Sequence, residues 1–203
     1  WCLPEAPNNN RNATFTVTIA GLDAAVTLNT SPTIEALSLL DGATVQVNDA
    51  SGASTRTLVV DGTITNTGIF LATDRERLVL DAPFIDQVGA CGAGGEIRAV
   101  DGVLGPGEEN DKSIVEINGA LVRGGSVTTI GNHSEIHLIG GAELVDTCIS
   151  GVVVPDGQAG RFSGVVTNDD VLTVRGTSIN TRLEPAGPQA VLEGTGRVQV
   201  TSA

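Results

Sequence analysis

Along most of this chain, short runs of β-prone residues alternate with small, turn-forming residues, and the alternation returns at a roughly fixed distance. The clearest case is residues 113–155, which read SIVEINGALVRGG, SVTTIGNHSEIHLIGG and AELVDTCISGVVVP. Asn118-Gly119-Ala120 is echoed by Gly140-Gly141-Ala142. Val127 and Ile130 are echoed by Ile149 and Val152, each pair 22 positions apart. A return every ~20 residues marks a chain that coils and stacks its turns. Within a run, apolar and polar residues alternate as they do in a half-buried strand. This spacing places Ile114, Ile117, Val127, Ile130, Ile136, Leu138, Leu144, Ile149, Val152 and Val154 in the core.

The same reading extends outward from this stretch. Residues 14–19 (TFTVTI) alternate strictly. Residues 25–28 and 33–40 follow as strands, with Pro32 at the corner between them. Leu39-Leu40-Asp41-Gly42 is matched 20 positions later by Val59-Val60-Asp61-Gly62, and Asp101-Gly102 supplies a third Asp-Gly pair. Gly accepts a positive φ without strain and Asp tolerates one, so these pairs read as corners of a coil. Thr65-Asn66-Thr67-Gly68 and Thr167-Asn168-Asp169-Asp170 have a related form. Stacked Asn at equivalent corners can hydrogen-bond along a ladder. Ile149-Ser-Gly-Val-Val153 returns as Phe162-Ser-Gly-Val-Val166, as expected for one side of a coil with its corner. Residues 89–95 (GACGAGG) form a flexible bend, and residues 105–112 a polar excursion. No segment carries a sustained helical stripe. The expectation is an all-β fold, a right-handed parallel β-helix of about eight coils. Residues 14–203 form its single domain, and residues 1–13 an N-terminal arm or cap.

Composition supports a narrow, repetitive core. Aromatic residues make up 2% of the chain, with no Tyr and one Trp, while Gly numbers 26. Small β-branched residues that stack on their own kind need no large aromatics to fill space. The net charge is −13, and Lys112 is the one lysine. Nucleic acid is a poor partner for such a chain, as is an anionic membrane. No apolar run approaches the ~18 residues of a membrane span, so no membrane insertion is expected. The absence of Met is the mark of a mature secreted product or an excised domain.

Candidate chemistry is sparse. Cys2, Cys91 and Cys148 allow one internal disulfide plus a free thiol, or unpaired buried thiols. Asn12, Asn29 and Asn132 each open a glycosylation acceptor triplet. Glu135 and His137 point outward on one strand face with His133 nearby, which reads as a solvated face rather than a metal or acid–base site. The acidic residues Glu108, Glu109 and Asp111, with Asn110, and the Asn168-Asp169-Asp170 corner offer oxygen ligands for Ca²⁺, but without EF-hand or β-roll spacing. No G-x-S-x-G elbow is present. A sugar-cleaving groove needs aromatics to stack on sugars, and Arg75, Arg77 and Arg98 form no visible constellation. Thr55, Thr57, Thr63 and Thr65 do not recur coil after coil as an ice-binding face requires.

The chain resembles the β-solenoid repeats of bacterial surface proteins, such as autotransporter passenger domains and secreted proteins with PEP-CTERM sorting tails. The resemblance lies in Pro7-Asn8-Asn9, in Val26 to Ile34 (VTLNTSPTI), in Gly95 to Gly102 (GEIRAVDG) and in Ile149 to Gln158 (ISGVVVPDGQ). It implies a parallel β-helix at the cell surface and no catalytic set. The functional expectation is a secreted, non-enzymatic structural protein of the cell surface or extracellular matrix. Open solenoid ends invite copies of itself, and Trp1, Cys2, Leu3 and Pro4 of the arm are the expected subunit contact. The alternatives are a monomeric surface adhesin or carbohydrate-binding passenger fragment, and a polysaccharide lyase or hydrolase; extracellular polysaccharide is the other partner expected besides copies of the chain.

Overall fold

The computed structural model describes residues 16–21, 24–28, 30–47, 54–102 and 112–202. These residues wind into a parallel β-helix of three sheets with eight strands each, and no helix occurs among them. The first sheet stacks β1 (Thr16–Ile19), β4 (Ala36–Leu39), β7 (Thr63–Asn66), β10 (Phe84–Asp86), β13 (Leu121–Arg123), β16 (Glu143–Val145), β19 (Ala159–Ser163) and β22 (Arg182–Pro185). The second stacks β2 (Ala25–Thr27), β5 (Thr44–Val47), β8 (Ile69–Ala72), β11 (Glu96–Val100), β14 (Ser126–Ile130), β17 (Cys148–Ile149), β20 (Val165–Asn168) and β23 (Val191–Glu193). The third stacks β3 (Thr33–Ile34), β6 (Thr55–Val60), β9 (Arg77–Asp81), β12 (Ser113–Asn118), β15 (Ser134–Ile139), β18 (Val152–Val154), β21 (Val171–Arg175) and β24 (Arg197–Thr201). The chain makes about seven turns, slightly fewer than the eight coils the repeat spacing suggests.

Alternation along each strand sends every second side chain inward, and parallel register stacks these into columns. Leu37, Ile64, Ile85, Val122 and Leu144 form one buried column in the first sheet. Val45, Phe70, Ile97, Val127 and Ile149 form another in the second. Leu58, Leu80, Ile117, Leu138 and Val154 follow inside the third. Each fully buried aliphatic side chain contributes about 1.5–3 kcal/mol. The Val127–Ile149 echo is a true register pair.

Five expectations are corrected. Ile114 and Ile130 lie on the outward parity of β12 and β14, and Ile130 is 50% exposed. Val115 takes the inward place beside Ile114, because both parities of this run are apolar. Ile130 belongs to the second sheet and Val152 to the third, so their echo is not a register. The Asp-Gly pairs occupy three different corners. Asp41-Gly42 follows β4, Asp61-Gly62 follows β6 and Asp101-Gly102 follows β11, so their spacing does not measure a turn. The Ser-Gly motif likewise turns the chain at two different corners, after β17 and after β19. Residues 33–40 are two strands broken at Glu35.

One corner carries buried polar groups. Asn66 and Gln87 are fully buried where the first sheet turns into the second. Asn66 Oδ1 accepts from the Gly68 amide at 3.0 Å, and its Nδ2 donates to Gln87 Oε1 at 3.3 Å. Gln87 Nε2 donates to the Ser126 carbonyl at 3.2 Å one turn on. The ladder therefore pairs Asn with Gln. Asn168 is also buried, but it sits at the next corner, where its Nδ2 donates to the Arg197 carbonyl at 3.3 Å. Gly125 closes the stack beside Gln87 with φ +56°, and a Cβ there would lie 2.3 Å from the Gly95 carbonyl oxygen. Replacing Asn66 by Ala strands the buried Gln87 amide, and is expected to cost about 1–3 kcal/mol in chemical unfolding. Gly125→Ala is expected to cost at least as much, through positive-φ strain and the backbone clash.

Candidate functional site

The densest cluster of charged groups among the described residues lies on the outer face of the third sheet. Strand alternation points Arg77 outward from β9, Glu116 from β12, Glu135 and His137 from β15, and Arg175 from β21. Lys112 immediately precedes β12. Register brings Glu116 beside His137. Arg77 Nη2 lies 2.8 Å from Glu116 Oε1. His137 Nδ1 lies 3.6 Å from the same oxygen, and its Nε2 is 2.7 Å from Glu135 Oε2. Glu135 Oε1 accepts from Lys112 Nζ at 2.5 Å and from Arg175 Nη2 at 2.5 Å, while Arg175 Nη1 donates to Oε2 at 3.2 Å. The result is an alternating chain, Arg77–Glu116–His137–Glu135–Arg175, running along the solenoid axis with Lys112 beside it.

Arg175 reaches Glu135 from two turns away, passing the β18 turn, where the outward Val153 is only 4% exposed. Glu135 is 7% exposed and His137 8%. The outward direction expected for these two residues is therefore correct, but the solvated face is not. Burial arises because long cationic side chains lie across the carboxylates. His133 stands apart from the chain. Its amide donates to Asp101 Oδ1 at 2.6 Å, in the turn before β15.

Protonation follows from this geometry. Burial raises the Glu135 carboxyl, but hydrogen bonds from His137, Arg175 and Lys112 outweigh it and hold the group far below the usual carboxylate range. The His137 hydrogen bond, aided by the Arg77 and His137 charges, lowers Glu116 against a smaller burial penalty. Burial alone lowers His137, yet its bonds to Glu116 and Glu135 and their charges raise it above its ordinary value. A raised histidine stabilises the fold fully below ~6.5 and loses that contribution as pH climbs through its folded pKa. The lowered carboxylates contribute above ~4.3 and lose it as pH falls through their folded values.

The cysteines resolve into one bridge. Cys91 and Cys148 form a disulfide with Cα atoms 5.2 Å apart. Cys91 lies on the bend before β11, and Cys148 points outward from β17, two turns later. The bend crosses the intervening turn, where the Gly92 amide donates to Ser126 Oγ at 3.1 Å. Cys2 lies outside the described residues, as do Trp1, Leu3 and Pro4, the acceptor positions Asn12 and Asn29, and the acidic residues 108–111. Asn132 is exposed on the turn between β14 and β15. Among the described residues, no group of three or more His, Cys, Asp and Glu is arranged to hold a metal ion. Asn168, one of the proposed Ca²⁺ ligands, is instead 3% exposed and committed to its corner. Arg98 pairs with Glu96 on its own strand, and Arg77 with Glu116, so the arginines serve separate faces. Thr55 and Thr57 lie on the third sheet, and Thr63 and Thr65 on the first.

No protein family, curated protein or solved structure matches the chain. The β-helix therefore rests on the chain's own geometry, and the resemblance to bacterial surface repeats gains no relative to support it.

Two outcomes follow. Thermal stability measured from pH 5 to 9 should decline on the alkaline side as His137 loses its proton, and His137→Gln should flatten that limb. An identical alkaline decline in the variant would remove His137 as its cause. Cys148→Ser should cost about 4 kcal/mol, the chain-entropy value for a loop of this length, read as a lowered unfolding midpoint that reductant no longer shifts.

Proposed function

We propose that the protein is a secreted, non-enzymatic structural protein of a bacterial cell surface or extracellular matrix, whose copies add end to end. The observation that carries this reading is the last turn. Among the described residues, β22, β23 and β24 each form the margin of their sheet. Val198 and Val200 continue the inward columns of Leu172 and Val174, yet they are 48% and 78% exposed. Such a surface combines open backbone edges with core side chains, and both call for another strand layer.

The first turn of a second copy suits this surface. Its strands have 4, 3 and 2 residues, against 4, 3 and 5 in the last turn. The residues of β1, β2 and β3 are uncharged, so they place no like charge against Arg182, Glu184, Glu193 or Arg197 of the last turn. Inward Val17, Val26 and Ile34 continue the columns of Leu183, Leu192 and Val198–Val200. Stacking copies this way is a heterologous contact, which does not close and yields a filament. The Cys91–Cys148 bridge supports an oxidising, extracellular setting.

Sedimentation velocity and electron microscopy across a concentration series test the reading. Filaments or end-to-end oligomers are expected, and Val198→Lys with Val200→Lys should leave folded monomers. Compact monomers of the unaltered chain at the highest concentration would overturn it. Deleting residues 1–13 separates the arm from the turn surfaces: unchanged assembly excludes the arm as the connector.

A further inference from the structure

The charge chain on the third sheet holds more cations than its carboxylates neutralise. Arg77, Lys112 and Arg175 surround two carboxylates, Glu116 and Glu135, leaving one positive charge in excess, and a second when His137 is protonated. This excess stands out on a chain of net charge −13. The layering is also directional. The Glu135 and Glu116 side chains are 9% and 14% exposed, whereas those of Lys112, Arg175 and Arg77 are 33%, 35% and 40% exposed. The carboxylates lie beneath and the cations on top. Arg77 Nε is buried with no hydrogen-bond partner, so this guanidinium is not fully satisfied by the protein.

The strands that carry these cations follow one another along the axis, while Lys112 Nζ and Arg175 Nη2 meet on the same Glu135 oxygen, each 2.5 Å from it. Arg77 is on β9, Lys112 before β12, His137 on β15, Arg175 on β21 and Arg197 on β24. Successive strands of a sheet lie ~4.8 Å apart, so the strands from β9 to β21 that frame the cluster extend about 19 Å. Thr57, Thr173 and Gln199 share the register row of Glu116 and His137 and present hydrogen-bonding groups to the same face. Asp81, at the far end of β9, bounds the row, and Asp156 is engaged by Ser178 and Thr181 at the corner. The field of the remaining acidic surface is screened within about 8 Å at physiological salt.

We infer that this face binds a linear acidic polysaccharide, its carboxylate or sulfate groups lying along Arg77, Lys112 and Arg175 and its hydroxyls meeting Thr173 and Gln199. A polyuronate offers one anion per sugar on a narrow chain, which suits a cluster of cations flanked by the hydroxyl and amide groups of Thr173 and Gln199. Single-stranded nucleic acid is less suited, because it relies on aromatic stacking platforms and the strands of the third sheet carry no aromatic residue. The site is on the side of the solenoid, so it stands whether or not the ends associate.

Calorimetric titration of the whole chain with a short oligogalacturonate tests this. Saturable binding is expected, weakening with salt and absent for a neutral glucan. Thr173→Glu places a carboxylate in the row without removing a member of the charge chain, and should weaken binding at least tenfold with the melting temperature unchanged. Lys112→Gln with Arg175→Gln should also weaken binding, with a lowered melting temperature because the buried Glu135 loses its cationic partners, while Arg161→Gln with Arg182→Gln on the first sheet should leave binding unchanged. The inference is overturned if the unaltered protein does not bind, if both third-sheet variants bind as it does, or if single-stranded DNA binds as tightly.

Discussion

Every strand in this molecule takes its backbone partners from the turn before and the turn after, and the rest of the structure depends on that rule. A parallel strand cannot pair with its sequence neighbour, because a corner sends that neighbour into a different sheet. The inward columns follow directly. A residue such as Ile97 packs between Phe70 and Val127 because register puts it there. Among the described residues, β22, β23 and β24 are paired on one side.

Vertical pairing also explains why groups on the outside tie distant segments together. The Cys91–Cys148 bridge joins residues 57 apart, yet spans only two turns. The Arg77–Glu116–His137–Glu135–Arg175 chain does with charges what the disulfide does covalently, on a different sheet. Neither device adds to the core. Each binds turns in addition to their backbone hydrogen bonds, stacked aliphatics and the Asn66–Gln87 ladder. Burying the two carboxylates carries a desolvation cost, and the surrounding cationic donors offset it. Those donors outnumber the carboxylates, so the cluster itself holds an excess of cationic groups on a chain of net charge −13.

The architecture was legible from periodicity alone because strand alternation and small corner residues are local signals. Val127 and Ile149 were paired correctly, since the turn between them keeps the average length. Elsewhere the turn length varies, from 16 residues between Ile136 and Val152 to 37 between Arg77 and Ile114. Equal spacing then misleads: Asp41-Gly42 and Asp61-Gly62 mark different corners. Ile114 and Ile130 were misplaced for a simpler reason. Where neighbouring positions are both apolar, alternation does not say which one faces inward.

The charge cluster shows the same division. Sequence indicated that Glu135 and His137 leave the strand on the outer side, because Ile136 and Leu138 take the inner one. It carried no sign that Glu116, Lys112 and Arg175 would meet them, since those residues lie 19, 23 and 40 positions from Glu135 with no common period. The outward face was therefore expected to be wet, and it is nearly closed. What the sequence determined by itself is the kind of fold: alternation, corners and a scarcity of aromatics allow little but a stacked β coil. The tertiary structure alone decided which turns lie in register, and so which outward side chains become neighbours. Register is a sum of corner lengths, and no local interaction sets that sum.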